Sequence, residues 1–161
     1  KGFDISLIPE TLANPQILIP VEPDYSNRGY DISKEEIGKK GELFVYDYLK
    51  QVFKVKYGDS ILETNDGFRI SDKLEVIWTN KNFISKELYD FKILEAGKEI
   101  FIDSKATKYS KYKEDVALYI TVNEVALMER AEKYMIARVY EALSDKSSVE
   151  FVKMQLDNVT E

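Results

Sequence analysis

Apolar residues recur at helical spacing from Ile37 to Val52, and Gly41, Phe44, Tyr48 and Leu49 lie on the same stripe. Ser33-Lys34-Glu35-Glu36 precedes it with the wording of a capping box. In that motif a hydroxyl accepts a free N–H of the first turn, and a glutamate three residues on accepts the N–H of the capping residue. The pattern predicts a helix opening at Ser33, with Glu42 at the edge of its apolar stripe. Gly38 and Gly41 each cost roughly 1 kcal/mol against alanine inside a helix. Such a cost implies close packing on a neighbouring element or a ligand. Residues 54–72 are polar, contain Gly58 and Gly67, and read as loops.

Beyond that stretch the period shortens to two. Leu74–Thr79 reads as a strand, and two more, around 88–95 and 99–105, are joined through Ala96-Gly97-Lys98. Val116–Ile120 reads as a short strand. Thr121-Val122-Asn123-Glu124 is a second capping box, opening a helix to about Lys133. Tyr134–Tyr140 is an apolar strand, and 149–156 a last one. The order α-β-β-β-(β)-α-β predicts an α/β fold with a mixed central sheet flanked by helices. All four prolines fall within residues 1–30, and Ile17–Pro23 looks extended. Residues 1–30 therefore read as an arm or interdomain linker, and 31–161 as the domain. Since the chain starts at Lys1, it reads as part of a larger protein.

Composition changes the picture mainly by what is missing. The chain has 161 residues, 44% of them hydrophobic, which is enough for one domain with a core. No run approaches the roughly 18 apolar residues of a membrane span. There is no Cys and no His. That excludes thiol nucleophiles, Ser-His triads and His- or Cys-ligated metals, leaving Asp, Glu, Lys, Tyr and Ser for any chemistry. Oxygen ligands alone favour Mg²⁺, Mn²⁺ or Ca²⁺. The absence of Cys fits the cytoplasm. A formal charge of −6 argues against a general nucleic-acid-binding surface, though not against a local basic patch.

The candidate chemistry sits on the central hairpin. Period-two geometry puts Asp103 and Lys105 on one face, about 7 Å apart, with Asp90 near the start of the preceding strand. Two carboxylates and a lysine at a sheet end suit a divalent ion and a positioned water; they equally suit strand-end salt bridges on a solvated face. Lys108, Tyr109, Lys111, Tyr112 and Lys113 follow directly. Such lysines contact phosphates and such tyrosines stack on bases, or the stretch is a solvated loop. Glu124 reads as the capping partner of Thr121. The alternation Tyr134, Ile136, Arg138, Tyr140 reads as sheet packing.

In order and spacing these motifs resemble the NO VEIN C-terminal domain family, a branch of the PD-(D/E)XK, or restriction-endonuclease-like, nuclease superfamily. The residues carrying the resemblance are Ile37-Gly38-Lys39-Lys40-Gly41-Glu42, Trp78-Thr79-Asn80, Tyr89-Asp90-Phe91, Ile102-Asp103-Ser104-Lys105, Val122-Asn123-Glu124 and Tyr134–Val139. The resemblance spans about residues 33–142. It implies a restriction-endonuclease-like core and a Mg²⁺- (or Mn²⁺-) dependent endonuclease that hydrolyses DNA by in-line attack of water activated at the ion. Asp90, Asp103 and the Ser104 carbonyl would bind the metal, Lys105 would orient or activate the water, and Glu42 would complete the site. Such domains are attached to ATPase or helicase-like modules in prokaryotic restriction or antiviral defence proteins, with DNA as the partner. The second acidic position is Asp103 where this branch usually has Glu, and Ser104 stands where an apolar residue is common. Those departures motivate the alternative, a catalytically inactive nuclease-like module that binds nucleic acid or a protein partner.

Overall fold

The computed structural model describes residues 10–12, 19–21, 32–113 and 116–153, with α1 (Ile32–Tyr57) as its longest element. The helix opens at Ile32, which places Ser33 in its first turn. Its fully buried positions are Gly41, Val45, Tyr46, Leu49 and Phe53. The buried stripe is therefore rotated slightly from Ile37–Phe44–Tyr48–Val52, whose members are only half-buried.

One eight-stranded sheet underlies it. The strands, in chain order, are β1 (Glu10–Leu12), β3 (Leu62–Glu63), β4 (Gly67–Arg69), β5 (Leu74–Trp78), β6 (Phe91–Glu95), β7 (Lys98–Ala106), β9 (Lys133–Tyr140) and β10 (Ser148–Lys153). In space the order is β1-β10-β9-β7-β6-β5-β4-β3. The pairs β7–β9 and β1–β10 are parallel and the rest antiparallel, so the sheet is mixed, as the element order predicts. Residues 54–72 are not loops throughout. The helix runs on to Tyr57, a 3-10 turn covers Gly58–Ser60, and β3 and β4 follow. A second, two-stranded sheet pairs β2 (Ile19–Val21) with β8 (Tyr119–Thr121) in parallel. β8 is shorter and later than the strand expected at 116–120. Pro20 lies within β2, which among the described residues pairs with β8 alone, an edge position that tolerates a missing N–H. Two pieces of the expected arm thus add strands to the body; the rest of residues 1–30, and 154–156 of the last expected strand, lie outside the described residues.

The β6–β7 hairpin turns in two residues. Ala96 and Gly97 both take positive φ, 49° and 83°, as a primed turn matched to strand twist requires. Glu95 then pairs with Lys98, and the register carries Phe91 opposite Ile102. β7 is a central strand, which explains its continuous burial from Ile100 to Asp103. One face of the sheet packs Ile93, Ile102, Met135, Ala137 and Val139 against α1. The other packs Phe101, Tyr134 and Ile136 with Ile120 and Leu127. Leu127 belongs to α2 (Val122–Arg130), which ends before Lys133. Each fully buried Leu, Ile or Phe contributes about 1.5–3 kcal/mol, so this two-sided core fixes β7 firmly. No helix among the described residues is long and apolar enough to cross a membrane.

Candidate active site at the end of the central strands

Gly41 sets the distance between α1 and β7. A Cβ there would lie 2.4 Å from Ala106 Cβ and 3.4 Å from Ser104 Oγ. Only glycine lets the helix come this close, and the approach brings the next residue, Glu42, to the sheet end. Gly38 differs: a Cβ there would meet nothing within 4 Å. The close packing expected of both glycines holds for Gly41 alone.

Asp90 stands just before β6. Its N–H donates to Ile102 O (3.0 Å), and its carbonyl accepts from Thr79 N (2.8 Å), so its backbone is held from both neighbouring strands. Its carboxylate accepts from Ser104 N through Oδ2 (2.8 Å) and from Asn80 Nδ2 through Oδ1 (2.8 Å). Asn80 Nδ2 also lies 3.3 Å from Glu42 Oε2, and that oxygen accepts from Trp78 Nε1 at 2.7 Å. The indole is fixed in turn by ring contacts with Tyr46 and Phe91. Ser85 N donates to Asn80 Oδ1, which leaves the amide only one orientation.

Asp103 and Lys105 share a face of β7, as their spacing predicts, and their side chains meet: Lys105 Nζ is 2.8 Å from Asp103 Oδ2. The same ammonium donates to Glu124 Oε1 at 2.7 Å. Glu124 is buried at the third residue of α2, and its carboxylate also accepts Thr121 N, so the capping box is formed. Glu124 is thus both cap and counter-ion, and the second role is invisible in its spacing. Asn123 is exposed.

The electrostatics follow from crowding. Burial pushes the Asp90 carboxyl well above its ordinary range; the nearby charges of Asp103 and Glu42 add to this, and the Ser104 N–H and Lys105 partly oppose it. Asp103 is also raised, mainly by burial, with Lys105 pulling it back and Glu124 pushing it further. Burial lowers Lys105, but Asp103 and Glu124 outweigh it and raise the group overall. The two carboxylates thus favour the ammonium form of Lys105, which can orient water and neutralise charge. Burial and the same carboxylates raise Tyr134, whose hydroxyl donates to Leu88 O at 2.7 Å.

Chemically the donor set fits a hard cation. It is all carboxylate oxygen, and Asp103 Oδ2 is a buried oxygen for which no described donor is aligned for a hydrogen bond, although Lys105 lies beside it. Among the described residues no three carboxylates are gathered closely enough to close on an ion by themselves. Mg²⁺ commonly keeps several waters and takes one or two carboxylates plus substrate phosphate, so the Asp90–Asp103 pair suffices as an anchor.

The lysine-tyrosine loop divides. A cleft of about 680 Å³ opens beside Ser104 and Lys105 and is lined by Lys108, Tyr109 and Lys113. Lys111 and Tyr112 do not line it. Lys111 pairs with Glu150 at 3.5 Å, and Tyr112 is 84% exposed. A second cleft of about 720 Å³, lined by Glu42, Leu43, Trp78, Asn80 and Ile84, lies on the other side of Gly38.

A family model described as Protein NO VEIN, C-terminal, matches residues 41–153. The chain belongs to that family. Its match begins at the Gly41-Glu42 pair and includes every carboxylate, amide and ammonium of the site above. The NO VEIN C-terminal segment therefore contains the α1–β7 contact, the central hairpin and the capped helix α2. No curated protein and no solved structure matches the chain.

Proposed function

We propose that this domain is a metal-dependent nuclease of the PD-(D/E)XK type, with a restriction-endonuclease-like core, hydrolysing DNA phosphodiester bonds within a larger restriction or antiviral defence protein. The observation that carries this reading is the convergence of Asp90, Asp103 and Lys105 at one sheet end, with Glu42 tied to Asp90 through Asn80. Asp90 and Asp103 would hold Mg²⁺ or Mn²⁺, with Glu42 reaching the ion or its water and the Ser104 backbone beside it. When bound, the ion polarises a phosphoryl oxygen and acidifies water. Lys105, held by Asp103 and Glu124, presents an ammonium to the charge that develops on the phosphate. Lys108, Lys113 and Tyr109 line the path of the strand. Water attacks phosphorus and a P–O ester bond breaks, leaving a phosphomonoester and a hydroxyl. ATPase or helicase-like modules in the same protein would supply the grip on DNA that an acidic chain lacks.

Plasmid and labelled oligonucleotide cleavage in Mg²⁺ and Mn²⁺ tests this. Wild type should cut, and Lys105→Ala should lose at least about 10²-fold in rate with its fold intact. A wild-type protein that cuts no DNA or RNA with either metal would sink the reading. The double ion pairing of Lys105 favours one rival, a nuclease-like module that binds without cutting; it would be left standing by that result.

A further inference from the structure

Arg138 is the Cα partner of Lys105 across the parallel β7–β9 ladder. Laterally paired residues face the same way, so its side chain shares the face of Lys105. It is 8% exposed, and its guanidinium donates to Lys105 O at 3.3 Å and lies near the Tyr140 ring. No carboxylate among the described residues pairs with it, whereas Lys105, one strand away, has two. A buried cation left this way is costly unless an anion arrives. Burial holds the Arg138 guanidinium below its ordinary value, and Tyr140 offsets this only in part.

The surroundings point the same way. Lys34, Lys105, Lys108, Lys113 and Arg138 all line the 680 Å³ cleft, and none of its described lining residues is acidic. This occurs in a chain whose formal charge is −6. Lys108 and Lys113 lie over the Tyr109 ring and have no carboxylate partner among the described residues. We infer that Arg138 forms the floor of a second anion site, holding the backbone phosphate of a single nucleic-acid strand next to the one at Asp90 and Asp103, with Lys34, Lys108 and Lys113 at its mouth. The fork of a guanidinium suits a phosphate's paired oxygens. Naming a nucleic-acid strand as the carrier of that phosphate rests on the nuclease reading.

Binding without catalysis tests it. A fluorescein-labelled single strand of about twelve nucleotides is titrated with the metal-free protein in EDTA and followed by anisotropy at several salt concentrations. Arg138→Gln should weaken binding roughly tenfold, Arg138→Lys less so, and Lys108→Ala and Lys113→Ala should each lower the salt slope by about one. Lys111→Ala should leave it unchanged. If Arg138→Gln fails to fold, the Lys108→Ala/Lys113→Ala pair, exposed at the cleft mouth, decides by the same criterion. Wild type that ignores the strand, variants that bind as wild type does, or equal displacement of the strand by polyglutamate would each overturn the inference. Arg138-dependent binding by a protein that never cuts would keep it and remove the nuclease reading. Cutting indifferent to Arg138 and both lysines would remove the inference alone.

Discussion

Asn80 holds two carboxylates with one amide nitrogen, and it is the residue that joins the helix side of the site to the hairpin side. Asn80→Ala should release Asp90 Oδ1 and leave Glu42 held by Trp78 alone, costing roughly 10–100-fold in cleavage, as lost supporting contacts at metal sites do, while melting within about 1 kcal/mol of wild type. Equal cleavage by the variant would remove Asn80 from the account. Ser104 makes a prediction of opposite sign. Its hydroxyl is buried against α1 and finds no partner among the described residues. Ser104→Ala removes an unsatisfied group without opening a hole, and should raise the unfolding free energy by up to about 1 kcal/mol in a denaturant titration. Asp90, Asp103 and Lys105 were legible from residue type and spacing, and Glu42 only through the family resemblance. Asn80 was not, because its role depends on Ser85 and Trp78 fixing their neighbours across the sheet. Arg138 read as packing because alternation shows which face a residue takes, not whether a counter-ion waits there.

At the scale of elements, the close approach of α1 to β7 is decisive. Gly41→Ala gains helix propensity but drives a Cβ into Ala106 Cβ, so overpacking should win, for a net loss of about 1–3 kcal/mol and a displaced Glu42. Gly38→Ala meets open space and should stabilise by up to about 1 kcal/mol. Paired chemical melts check both; an unaffected Gly41→Ala would mean the helix can retreat without cost. β5, β6, β7 and β9 were readable because a buried strand writes a strong apolar pattern and the hairpin announces itself in Ala96-Gly97. β3 was not, since its two residues are exposed and carry no alternation. β8 slipped by some residues because its partner, β2, comes from the proline-rich start of the chain.

Across the whole molecule, two clefts share Gly38 in their walls, one beside Glu42 and Trp78 and one, basic, beside Lys105. The folded state keeps protons on Asp90 and Asp103 that the unfolded chain gives up near pH 4. The native protein therefore binds more protons, and metal-free stability should fall as pH rises from about 4 through the neutral range. A divalent cation should relieve that cost, so Mn²⁺ should raise the melting temperature more at alkaline than at acidic pH. The family match reaches from Gly41 to Lys153 and so covers both clefts except for the first turns of α1. Calorimetric titration of Mn²⁺ into the wild-type protein and into Asp90→Asn/Asp103→Asn tests the cation site itself. Saturable binding is expected in the first and none in the second; retained affinity in the double variant, or none in wild type, would rule out a cation site at Asp90 and Asp103.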